Sequence, residues 1–182
     1  MAFENMYAIV DIETTGSPVK DNGITEIAIV LYDGKNIEGK YQTLINPKVG
    51  ISQFVAKLTG ISNDMVAAAP EFSEVAENIF RLLEGRIFVA HNAGFDFPYV
   101  SHFLKASGFY LNSKVLCTLN LSRRAFPNLP KHGLEFLCSS LKIDNHSRHR
   151  AGGDAMATTE LLGIILNNGG ERLVKSMIQN GI

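Results

Sequence analysis

At 182 residues, with 46% hydrophobic side chains, the chain is long enough for one globular domain that buries roughly 70% of its unfolded surface. A net charge of −1 excludes a protein that holds nucleic acid by bulk electrostatics, so a polyanion would be met locally, through bound metal and a few basic side chains. Two cysteines without metal-ligand spacing (Cys117, Cys138), no apolar run approaching the ~20 residues of a membrane span and no signal-peptide order at the N-terminus set the expectation of a cytoplasmic protein, without a membrane segment.

Tyr7 to Gly16 reads as the first strand. Alternation puts Tyr7, Ile9, Asp11 and Glu13 on one face and Ala8, Val10 and Ile12 on the other. Two carboxylates therefore leave an otherwise apolar strand side by side. Like charges that close repel, and burying either is costly unless it is neutralised. A divalent cation would neutralise both, and carboxylate oxygens suit Mg²⁺ or Mn²⁺. The competing reading is a frayed, solvated strand end.

Ser17 to Gly23 is a loop with Pro18 and Asn22-Gly23 as breakers. Ile24 to Leu31 and Ile37 to Ile45 read as strands joined at Asp33-Gly34, which makes an antiparallel meander. Ile51 to Ala69 breaks into short helical pieces at Gly60, with Ser62 or Asn63 as a cap. Phe72, Val75, Ala76, Ile79, Phe80 and Leu83 then trace an amphipathic helix, entered after Pro70 and stopped by Gly85. Ile87 to Ala90 is wholly apolar, as a central buried strand is. A helix, a strand around Val115 to Leu119 and further helices to Asn180 follow. The expectation is a single domain over residues 1–182, of α/β class, with a mixed five-stranded sheet: three antiparallel strands, then strand–helix alternation.

Two later stretches aim carboxylates inward. In His91-Asn92-Ala93-Gly94-Phe95-Asp96-Phe97-Pro98, Asp96 is a cap or first-turn residue just ahead of Pro98. It heads the stripe Tyr99, Val100, Phe103 and Leu104, so it points to the core side. His91 and Asn92 serve the turn after the strand and stand as candidate substrate contacts, not as metal ligands. In His146-Ser147-Arg148-His149-Arg150-Ala151-Gly152-Gly153-Asp154, Asp154 heads the stripe Ala157, Thr158, Leu161, Leu162 and Ile165. His149 lies five positions earlier, in the loop that delivers this helix, and Gly152-Gly153 would lend that loop freedom. Capping explains one such carboxylate, and surface solvation explains one histidine among arginines. Three separate segments converging on one sheet edge would instead make a two-metal site with an adjacent base.

Val10 to Gly16, His91 to Asp96 and His149 to Ala155 resemble, in order and spread, the three exonuclease motifs of the DEDDh family, whose members include the proofreading epsilon subunit of bacterial DNA polymerase III. Similarity runs nearly end to end, through Asn46-Pro47, Thr59 to Ser62 and Ala69 to Phe72. The resemblance implies a ribonuclease H-like fold and release of nucleoside monophosphates from a 3′ end. It implies that Asp11, Glu13 and Asp154 bind a catalytic Mg²⁺ or Mn²⁺, that Asp11 touches a second such ion, and that Asp96 reaches that ion through water. His149 would be the general base. The backbone at Thr14, Thr15 and Gly16 would meet the terminal nucleotide. Ser17-Pro18, Tyr99-Val100 and Cys117-Thr118 depart from the family pattern, and none removes a catalytic group.

The expected activity is therefore a 3′→5′ exodeoxyribonuclease on single-stranded or mispaired DNA ends, in proofreading or repair. A replicative polymerase subunit is a candidate partner, and no small-molecule cofactor is expected. Two alternatives stay open: an RNA exonuclease with the same chemistry, since the 2′-OH is the discriminating group, and a catalytically silent nucleic-acid-binding module. Arg123, Arg124, Lys131, Arg148 and Arg150 are candidate phosphate contacts.

Overall fold

The computed structural model describes residues 6–145 and 147–181; His146, at the head of the third motif stretch, lies outside them. The sheet is built about β1 (Tyr7–Thr14). β2 (Ile24–Tyr32) runs antiparallel on one side of it and β4 (Ile87–Ala90) parallel on the other. With β3 (Ile37–Leu44), β5 (Lys114–Cys117) and β6 (Gln179–Asn180), the order is β3-β2-β1-β4-β5-β6.

Both faces of β1 are buried along its first half, which is why Tyr7 to Val10 is an unbroken hydrophobic run. Tyr7 and Ile9 pack into one core with α5 (Thr118–Ala125), α6 (Leu134–Leu141), α7 (Ala151–Ile165) and α8 (Glu171–Met177). Ala8, Val10 and Ile12 pack into the other, under α3 (Phe72–Leu83) and α4 (Ala93–Ala106). Helices thus cover both faces of a mixed sheet. Two short helices, α1 (Gln53–Thr59) and α2 (Asn63–Ala67), are capped by the hydroxyls of Ser52 and Ser62 and separated at Gly60. Among the described residues no helix is long and apolar enough to cross a membrane.

Three boundaries differ from the expectation. Among the described residues the sheet has six strands, not five, because Gln179–Asn180 pairs antiparallel with Lys114 and Val115 after α8 ends at Met177. Two residues carry no periodicity to read. The fifth strand stops at Cys117, and Thr118 opens α5, where its hydroxyl turns inward to His91. α4 begins at Ala93, ahead of Asp96, because Asn92 takes a left-handed conformation (φ 81°) that turns the chain directly off β4. Pro98 therefore sits inside the helix, and its missing N–H leaves the Gly94 carbonyl without that intrahelical partner.

Candidate active site

The pairing of β1 with β2 shifts register between Glu13 and Thr14, so the strand leaves the sheet just past its two acids. The departing turn is tied down at once. The Thr15 N–H donates to the Gly23 carbonyl (2.9 Å), the Gly23 N–H to the Thr15 hydroxyl (3.1 Å), and that hydroxyl to Asn22 Oδ1 (2.9 Å). Gly16 is required here: its φ is +150° and a Cβ would stand 2.8 Å from Asn22 Oδ1. The buried Tyr99 donates its phenol to the Gly16 carbonyl and so ties α4 to the same turn.

Asp11, Glu13 and Asp154 each bring a carboxylate oxygen into one group, all within 4.8 Å of one another. Strand alternation supplies the first two and the first turn of α7 the third. Burial raises the Asp11 pKa well above the usual carboxylate range, and the charges of Asp96, Asp154 and Glu13 raise it further. Burial, then Asp154 and Glu26, push Glu13 up to about 7 against the opposing pull of Arg150. Asp96 stands beside the group, 4% exposed, with its Oδ1 accepting the Ile12 N–H at 3.3 Å; burial pushes its pKa to about 8.

Asp154 is held from the segment ahead of its own helix. The Asn145 amide donates to its Oδ1 (2.7 Å) and the His149 backbone N–H to its Oδ2 (3.1 Å). His149 is exposed and left-handed, with φ 57°. What touches Asp154 is its backbone, and its imidazole stands outside the carboxylate group. Gly152 and Gly153 do not loosen this loop. They lie in the first turn of α7, where a Cβ on Gly152 would strike the Gln42 amide and one on Gly153 the Ser147 carbonyl. Their role is close approach.

Both ring nitrogens of His91 are engaged, Nδ1 with the Thr118 hydroxyl and Nε2 with the His132 carbonyl, each at 2.9 Å. Burial lowers its pKa. His91 thus clamps the end of β4 to α5. Asn92 is exposed and, with Gly94, Pro98, Cys117, Asn120 and Met177, lines a cavity of about 450 Å³.

Sequence reasoning missed Asn145 and Glu26. Glu26 is 1% exposed, yet it is fully supplied with donors: Arg150 Nε (3.0 Å) and Nη2 (2.7 Å), Gln42 Nε2 (2.9 Å) and the Ala151 N–H (3.0 Å). Burial works to raise its pKa, but these bonds outweigh burial and leave it below the usual range. The available signal was a lone carboxylate inside the apolar run of β2, directly opposite Glu13. Of the candidate phosphate contacts, Arg148 pairs with Glu135 (2.6 Å), while Arg123, Arg124 and Lys131 are exposed.

The architecture is the ribonuclease H-like exonuclease fold. Exonuclease X in complex with 5′ overhanging duplex DNA superposes with a TM-score of 0.75 at 30% identity, over 94% of this chain and 97% of that one. The nuclease domain of 3′hExo, a DEDDh family member bound to rAMP, superposes with a TM-score of 0.78 over 92% and 94% of the two chains; at 20% identity that likeness concerns the fold. Residues 8–162 match the RNase T exonuclease family, and the chain belongs to it. It is 41% identical over 154 residues to the 3′-5′ exonuclease DinG of Bacillus subtilis (strain 168) and 36% identical over 160 residues to the PolC-type DNA polymerase III of Caldanaerobacter subterraneus subsp. tengcongensis. These matches cover 84% and 88% of this chain but span only 16% and 11% of the relatives' lengths.

Proposed function

We propose that this chain is a metal-dependent 3′→5′ exonuclease domain, spanning residues 1–182, that removes nucleoside monophosphates from single-stranded or mispaired DNA 3′ ends in proofreading or repair. The observation that carries the reading is the group of three carboxylates, Asp11, Glu13 and Asp154, with oxygens within 4.8 Å and Asp96 beside them. Hard oxygen donors fit Mg²⁺ or Mn²⁺, and the raised pKa values of Asp11 and Glu13 express burial first and mutual repulsion second, both of which a cation would offset. Asp11, Glu13 and Asp154 would hold one ion, with Asp11 and Asp96 at a second. Two ions there supply Lewis-acid chemistry, lowering the pKa of the attacking water and stabilising the leaving 3′ oxygen.

The chain's own groups do the rest. The braced turn at Thr14, Thr15 and Gly16 orients the terminal nucleotide through its backbone. His149 accepts the proton of the attacking water once its loop turns the imidazole inward. His91 acts by fixing the turn that presents Asn92. The DNA assignment draws on the DinG and PolC-type relatives, and a replicative polymerase is the partner they suggest.

The test is parallel digestion of 5′-labelled single-stranded DNA, mispaired-end duplex, fully paired duplex and RNA. Unpairing the last bases costs a few kcal/mol in a matched duplex and less at a mismatch. A ladder shortening from the 3′ end, fastest on the single-stranded and mispaired substrates, is expected. RNA degraded at least as fast as DNA would transfer the assignment to an RNA exonuclease. No cleavage of any substrate with Mg²⁺ or Mn²⁺ present would leave only a binding module.

A further inference from the structure

We infer that Glu26 is a positioning residue for this reaction: it locks the entry of α7 so that Asp154 is held at the strand carboxylates and the His149 loop departs beside them. The inference rests on the exonuclease reading above. A carboxylate 1% exposed, paired in register with Glu13, stands where negative charge is already in excess. Such a group is tolerated only if donors replace its water, and Glu26 has four.

The source of those donors is the argument. Gln42 comes from β3, Arg150 directly follows His149, and Ala151 lies three residues before Asp154, less than one helical turn. One side chain thus sets both the depth at which α7 meets the sheet and the point from which the His149 loop departs. The Arg150 fork engages both Glu26 oxygens, which fixes an orientation that a single bond would not. Gly152 records the same docking, since any Cβ there would collide with the Gln42 amide that also binds Glu26. A buried ion pair of this kind is weak evidence for net stability. Its location, one residue from the proposed base and one turn from a proposed ligand, argues for geometry.

Glu26→Gln and Arg150→Lys test this, read by Mn²⁺ titration calorimetry and by kcat and KM on a 5′-labelled single-stranded oligonucleotide. Gln would turn an amide donor toward the donors that Glu26 now accepts from, and Lys keeps the charge while losing the fork. Outer partners of metal ligands are typically worth 10–100-fold in metal affinity or activity. Glu26→Gln should therefore lower Mn²⁺ affinity and kcat by roughly that range while KM for the oligonucleotide stays near the parent's. Arg150→Lys should move both in the same direction by less. A purely structural brace predicts a lower Tm with parental Mn²⁺ affinity and kcat in the folded protein, and that result overturns the inference. Should Glu26→Gln fail to fold, Arg150→Lys decides by the same criteria. Should the parent itself cleave nothing, the exonuclease reading fails, and the calorimetric arm still tests whether Glu26 positions the carboxylates.

Discussion

The carboxylates and the histidine of the candidate site are held in opposite ways. Asp11 and Glu13 project from a strand buried on both faces, and Asp96 and Asp154 from the first turns of α4 and α7. His149 projects from an exposed left-handed residue whose backbone N–H is its link to Asp154. The acidic group is part of the fold, built on a buried strand and two helix starts. The proposed base is carried by a segment anchored to Asp154 through its own N–H and to Glu26 through Arg150 and Ala151, which follow it.

The largest expected effect bears on the rigid half. Removing divalent ions by chelation should abolish hydrolysis while the circular dichroism spectrum stays native, because the apolar cores on either side of the sheet do not depend on the site. Hydrolysis that persists after verified metal removal would end the two-metal reading. Asp11→Asn should lower kcat by about 10³-fold or more, since a Lewis-acid contribution of several kcal/mol converts at about 1.4 kcal/mol per decade. At alkaline pH the same substitution should raise the Tm of the metal-free protein, because it removes a carboxyl whose ionised form is opposed by burial and by Asp96, Asp154 and Glu13.

The exposed half of the site answers to His149→Ala. General-base removal is typically worth about 10²–10⁴-fold in kcat. Mn²⁺ affinity should stay at the parental value, because the backbone N–H that binds Asp154 survives the substitution. Near-normal turnover in the folded variant would show that His149 only decorates the loop. The two substitutions together sharpen the division: Asp11→Asn disturbs metal binding and turnover, whereas His149→Ala disturbs turnover alone.

The rigid half was legible in the sequence and the supporting shell was not, for a physical reason. Alternation along Tyr7 to Glu13 and the stripes behind Asp96 and Asp154 are local patterns, and each survives folding because a buried face enforces it. The amphipathic pattern from Phe72 to Leu83 likewise coincides with α3. Glu26 and Arg150 are 124 positions apart, and neither residue type announces a partner. Gly152-Gly153 reads locally as freedom and proves to be close packing, because the atoms that forbid a Cβ belong to Gln42 and Ser147. His149 was identified by its motif, while its left-handed backbone and its bond to Asp154 depend on where α7 docks.

The smallest expected effect is on stability, and it separates the two kinds of buried acid. Folding raises Glu13 from 4.5 to about 7 and Asp96 from 3.8 to about 8, so the folded metal-free protein holds protons that the unfolded chain has already lost. Below about pH 4 these carboxyls are neutral in both states and carry no penalty. As pH rises toward 8 the folded state is progressively disfavoured, and above the folded pKa values the loss is complete. Glu26 has the opposite sign: its pKa is lowered, so its stabilisation is present above the ordinary glutamate range and fades as pH falls below it. The Tm of the metal-free protein should therefore peak in mildly acidic buffer and fall toward pH 8. Saturating Mg²⁺ should flatten the alkaline side by offsetting the charge. Asp96→Asn should do so without metal, whereas Glu26→Gln should alter the acid side. Parallel Tm–pH curves for the parent and Asp96→Asn in chelator would mean that the Asp96 carboxyl is not held protonated by its burial, and the division between the two acids would fail.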